Sequence, residues 1–208
     1  MSSQQIELNQ QFEPNQHFAP NTDFGMNSTF GENCTFGSSC EFGMDTRFGA
    51  NCTFGSNCDF GMNPRFGAAT KFGENTRFGM NARFGSNAKF ESDTKFGMNT
   101  KFGDDTKFGA DTKFGMNTKF GSNTEFGENC TFGSNCAFEM DTIFGSNTTF
   151  GANATFGPNT TFGENTIYLE DVSQIVVEVR QNHKKRDYTC RFLVVLCILL
   201  LLFYLFCE

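Results

Sequence analysis

His17 and His183 are the only two histidines in the sequence, and nearly the whole chain separates them. A neutral base poised near pH 7 is most often a histidine, so acid–base catalysis has little to draw on. Thiol chemistry has more candidates. Cys34 and Cys52 share an eighteen-position spacing with Cys40 and Cys58, while Cys130 and Cys136 are six positions apart. A structural zinc site needs about four sulfur or imidazole ligands in one place; no histidine accompanies any of these pairs, and no metal is expected. Disulfides are conceivable at the wider spacing, but the simpler expectation is reduced thiols in a reducing compartment. Cys190, Cys197 and Cys207 flank or enter an apolar segment, where Cys190 and Cys207 are candidates for palmitoylation.

The other chemistry-bearing set is cationic. Arg65, Lys71, Arg77, Arg83, Lys89, Lys95, Lys101, Lys107, Lys113 and Lys119 recur at every sixth position. Acidic residues such as Asp104, Asp105 and Asp111 lie in the same span. A solvated band is expected, with a phosphate- or lipid-binding stripe as the sharper alternative. The formal net charge of -7 argues against a nucleic-acid partner.

What positions these residues is a repeat. Every multiple of 6 from 12 to 162 is Phe, with Ile6 before the series and Tyr168 after it. All 22 glycines follow directly after these positions, and Glu91 and Glu139 are the two gaps in that column between Gly25 and Gly163. A repeat of this regularity decides the architecture before any local propensity. Three places after Phe the residue is nearly always Asn or Asp, which tolerate left-handed backbone and mark corners. The next residue is usually small, most often Thr, Ala or Cys, and the one after it is often charged. The small residue and the next Phe are two apart and so share one face of a strand. Each hexad therefore reads as one strand with its corner.

Met26, Met44, Met62, Met80, Met98 and Met116 recur once in every three hexads, which makes three hexads one turn. The expected fold is all-β: a three-sided parallel β-solenoid of about nine coils, roughly 45 Å long at about 4.8 Å per coil. Residues 1–23 read as degenerate capping repeats, because Glu7, Glu13 and Ala19 replace Gly while Gln4, Gln10 and Gln16 replace the small residue. Residues 24–168 form the solenoid. The Met column is the candidate interaction surface, with simple packing over the corner as the alternative.

Segments such as "FGENTRFG" and "FGPNTTFGENTI" resemble the hexapeptide-repeat family of left-handed parallel β-helices, which includes bacterial acyltransferases. The resemblance implies a left-handed coil and association as trimers through parallel axes. The family prefers Ile, Leu or Val where this chain has Phe. Its acyltransferases use a histidine base and extruded loops, whereas this chain has no insertion in any hexad and nothing that maps onto that motif. The Phe-Gly dipeptides also resemble the disordered repeats of nucleoporins, but disorder needs no fixed phase between Phe, Asn and the small residue.

After Tyr168 the phase is lost, and residues 169–191 are expected to cap the solenoid, preferably as a helix, and to form a basic juxtamembrane segment with Lys184, Lys185, Arg186 and Arg191. Residues 192–206, "FLVVLCILLLLFYLF", carry no charge and are expected to be a helical transmembrane tail anchor. Their length is short of the ~20 residues of a typical span and better matched to a thin bilayer such as the endoplasmic reticulum. The preceding basic residues place the repeat in the cytosol, where sequons such as Asn27 and Asn153 stay unglycosylated. The expected function is a non-enzymatic, membrane-anchored structural or interaction scaffold without cofactors. Its expected partners are the membrane, further copies of itself and a protein of unknown identity.

Overall fold

A computed structural model describes residues 4 to 169, and the capping segment 169–191 beyond its first residue and the apolar segment 192–206 lie outside that range. Short parallel strands recur at every sixth position, and each pairs with the strand three hexads further on, as in Asp59 with Arg77 and Phe60 with Phe78. The strands gather into three sheets of 10, 9 and 8 strands. The first face begins with Gln4–Ile6 and Thr22–Phe24, the second with Gln11–Phe12 and Thr29–Phe30, and the third with His17–Phe18 and Thr35–Phe36. Three faces and a turn of three hexads make the chain a triangular parallel β-solenoid of about nine coils, as the Met spacing predicts.

Each corner is turned by a residue in left-handed backbone. Asn9 (φ 59°) starts the series and Asn165 (φ 56°) ends it, and even Ser39 (φ 60°) and Ala69 (φ 56°) comply. The N–H at that position donates to a carbonyl of the next coil, as from Asn63 to Met80 O at 2.9 Å. Two further N–H groups in every hexad bond to the coil below, as from Lys95 to Thr76 O at 3.0 Å and from Gly97 to Phe78 O at 2.9 Å. The backbone is therefore satisfied between coils rather than within them.

Phenylalanine fills the interior from all three sides. Phe72 stacks on Phe90 with centroids 4.8 Å apart and planes 2° apart, following the strand spacing along one face. Neighbouring faces meet edge to face, as Phe84 and Phe90 do at 5.0 Å and 88°. Both geometries suit the ring quadrupole. The core thus accommodates a Phe from every face by crossing the rings of adjacent faces. The small residues fill the angles between them. Buried Thr hydroxyls donate to the carbonyl three residues back, as Thr100 does to Gly97 O at 2.9 Å. Thr46 is the one buried side-chain oxygen without a partner among the described residues.

The glycine after Phe is required by proximity, not by backbone angle, since no glycine has positive φ. A β-carbon on Gly97 would stand 2.7 Å from Gly79 C and 2.7 Å from Met80 N in the coil below. At the two gaps in the column the same bond is kept: Glu91 N reaches Phe72 O at 3.1 Å and Glu139 N reaches Phe120 O at 3.2 Å, within the range of the glycine positions, where Gly121 N reaches Phe102 O at 3.2 Å.

Candidate functional site

Regular coils turn the outer hexad positions into straight columns. On the second face, Arg65 pairs with Arg83 and Arg83 with Lys101, which in turn pairs with Lys119. Lys71, Lys89 and Lys107 form a column on the third face, and Arg77, Lys95 and Lys113 one on the first. The ten bases therefore encircle the middle of the rod instead of gathering into one patch. Like charges at strand spacing repel. Relief comes at one end of the third-face column, where Lys107 Nζ donates to both carboxylate oxygens of Glu125 at 2.8 Å. That pair is exposed, and exposed pairs contribute only about 0–1 kcal/mol.

Between the first and second faces lies the corner that carries Met26, Met44, Met62, Met80, Met98 and Met116. Leu8 continues the column at its lower end. Met62 is 38% and Met116 44% exposed, so the corner holds each side chain while leaving its outer surface open. One residue further along the same corner is an amide ladder. Asn63 Nδ2 donates to Asp45 Oδ1 at 3.0 Å, Asn81 to Asn63 at 3.0 Å and Asn99 to Asn81 at 3.3 Å. Asn117, Asn135 and Asn153 extend it at 3.2 Å per step. This ladder is not anticipated from sequence, although its three-hexad recurrence is visible there. It fixes the corner on which the methionines sit.

The cysteines are interior. Cys34, Cys40, Cys52, Cys58, Cys130 and Cys136 are free and fully buried. Burial pushes the Cys130 thiol up to about 12 and those of Cys52 and Cys136 up to about 11. The neighbouring Cys40 and burial both push the Cys58 thiol up. The Cys58 thiol beside it lowers Cys40 to about 7 against the opposing effect of burial. With 0% exposure, Cys40 has no access to a substrate. The stacked cysteines read as small apolar fillers with weak donors.

His17 is exposed on the third face beside Thr35, and among the described residues no catalytic partner is placed against it. His183, Lys184, Lys185, Arg186 and Arg191 lie outside the described residues. Among the described residues no group of three His, Cys, Asp or Glu side chains could hold a metal ion, and no helix is long and apolar enough to cross a membrane. A shallow depression lined by Gln5, Ile6, Glu7, Leu8, Asp23 and Gly25 sits at the first coil. Its lining offers two carboxylates, Glu7 and Asp23, and no histidine, hydroxyl, thiol or amine side chain.

Fold and surface together define a parallel β-solenoid whose distinguishing features are straight columns of chemically related side chains. No protein-family model, curated protein or solved structure matches the chain.

Proposed function

We propose that this protein is a non-enzymatic scaffold that holds a rigid β-solenoid at the cytosolic face of a membrane, anchored by residues 192–206. The observation that carries the reading is the uninterrupted rod: strands pair in constant three-hexad register from Gln4 to Tyr168, with no loop extruded to shape a pocket. Acyltransferases built on such a fold would need a loop-built acceptor site beside a histidine base, and among the described residues no such loop surrounds His17. A nucleoporin-like reading requires exposed Phe; here Phe24 to Phe150 are occupied in the core, each at most 6% exposed. The hexapeptide-repeat resemblance supports a left-handed winding.

The anchor rests on the charge-free "FLVVLCILLLLFYLF" and the bases before it. The surface presented is the Met corner with its flanking basic columns, since aligned flexible thioethers suit an adaptable contact. The topology is tested by adding protease to intact microsomes that contain the full chain. The repeat is expected to be digested, and deletion of residues 190–208 is expected to release it into the soluble fraction. Protection of the repeat, or a glycan on Asn153, would show it to be lumenal and refute the reading.

A further inference from the structure

The three outward columns are not alike. The second and third faces carry bases bordered by neutral residues, apart from Glu125 and its bond to Lys107. On the first face the column runs Asp23, Glu41, Asp59, Arg77, Lys95, Lys113, in continuous strand register. Three acids are followed by three bases, and the sign changes once. Among the described residues Lys107–Glu125 is the only ion pair, so none of these six charges is matched within the rod. The methionine column on the adjoining corner is centred at the same height. Three methionines, Met26, Met44 and Met62, lie on the acidic side, and Met80, Met98 and Met116 lie on the basic side.

We propose that two copies of this chain associate through the first face as an antiparallel dimer, about a two-fold axis lying across that face between Asp59 and Arg77. That axis sets Asp59 against Arg77 of the second copy, Glu41 against Lys95 and Asp23 against Lys113, and symmetry repeats all three contacts. The same rotation lays Met62 against Met80, Met44 against Met98 and Met26 against Met116 along one edge of the contact. On the opposite edge, Glu74 meets Ser56 and Asp93 meets Ser39 of the second copy, so no acid opposes an acid. A two-fold axis parallel to the rod would instead place every charge of this column against its own copy. The self-complementarity therefore selects the antiparallel arrangement over the parallel one.

The overlap spans eight strands of the first face, from Gln5 to Thr131. At ~4.8 Å per strand and about 15 Å per side, both copies together bury about 1,100 Å². That clears the ~1,000 Å² expected of a specific interface. Electrostatic complementarity of this kind fixes register and partner more than it adds raw affinity. Its consequence for membranes rests on the anchored reading: the two C-terminal segments leave the dimer at opposite ends, so an anchored dimer bridges two membrane surfaces.

The test uses the full-length chain in mild detergent, with mass followed by sedimentation velocity. Two charge variants are made, R77E/K95E/K113E with an all-acidic column and D23K/E41K/D59K with an all-basic one. Each alone is expected to self-associate at least tenfold more weakly than the unaltered chain. Mixed in equal amounts, they are expected to recover a dimer, and the chain carrying all six changes is expected to dimerise by itself. Hydrogen exchange of the solenoid confirms that each variant is folded. A monomeric unaltered chain overturns the proposal, as does a dimer that both variants retain or a mixture that fails to pair. Flotation of the same variants with microsomes separates the two readings: loss of dimer with flotation retained bears on the interface alone, and loss of flotation in every chain bears on the anchor alone.

Discussion

Replacing Phe90 by Ala should open the rod locally rather than unfold it throughout. Phe90 is 4% exposed and touches six rings. It stacks on Phe72 at 4.8 Å and on Phe108 at 5.0 Å. Edge contacts to Phe84 and Phe96 are at 5.0 Å, with Phe78 at 5.8 Å and Phe102 at 5.7 Å. Phe to Ala in a core costs about 3–5 kcal/mol, and more when the site cannot collapse. Here the surrounding rings are fixed by backbone that is hydrogen-bonded to the coils above and below, so the upper end, about 5 kcal/mol, is expected. In a solenoid each coil contacts only its neighbours, and stability is approximately a sum of coil and interface terms. The loss should therefore appear over residues of about the two adjoining coils. Hydrogen exchange with fragment resolution measures it: amides between about 72 and 108 should lose protection by more than a thousandfold, which is about 4 kcal/mol at about 1.4 kcal/mol per decade. Amides near Phe30 and Phe144 should remain close to the parent. Phe90→Leu, which refills part of the volume, should recover more than half of the loss. Full protection in Phe90→Ala would refute the packed aromatic core, and uniform loss along the whole chain would refute its one-dimensional energetics.

Two further outcomes follow from the other inward columns. Gly97→Ala should destabilise the rod by about 1–3 kcal/mol, because the new methyl meets only backbone in the coil below and no flexible side chain can yield; thermal unfolding measures it, and an unchanged midpoint would mean that the coils can separate freely. Cys130 is raised from 9.0 to about 12 by burial, so between those pH values the unfolded chain has lost a proton that the folded chain retains, and linkage makes stability fall as pH rises through that window. Cys130→Ala should flatten the fall, since Ala already fills the equivalent inward positions at 82 and 88; equal alkaline slopes in the two proteins would contradict the assignment.

Much of this architecture was legible because one column has one job. Phe at every sixth position can only be inside, and the recurrence of Met once in three hexads fixes three sides to a turn. Asn at the third place gives the corner, and the structure extends that rule to Ser39 and Ala69, where the two-sided hydrogen bonding of neighbouring coils imposes left-handed backbone on residues that do not favour it. Other features emerge only in three dimensions. The crossing of rings between faces depends on side-chain torsions that periodicity does not encode. The need for Gly is set by an inter-coil distance, which the repeat pattern alone does not state. The amide ladder requires both the register and the corner's angle.

The outward columns carry information of a different kind. A side chain just before Phe points to solvent whether it is Thr53, Lys71 or Glu125, and the coil beneath it has the same pairing in each case. Folding therefore leaves the identity of these residues free, and any order among them must answer to something outside the coil. A single change of sign between Asp59 and Arg77, centred on the same level as six methionines, is such an order. It also makes stability and association separable. Phe90→Ala removes core volume and leaves every surface charge in place, whereas R77E/K95E/K113E inverts the column and leaves every inward contact intact. If the rod is built as described, the first variant loses exchange protection around its site while its outward columns stay unchanged, and the second loses its partner and keeps its protection.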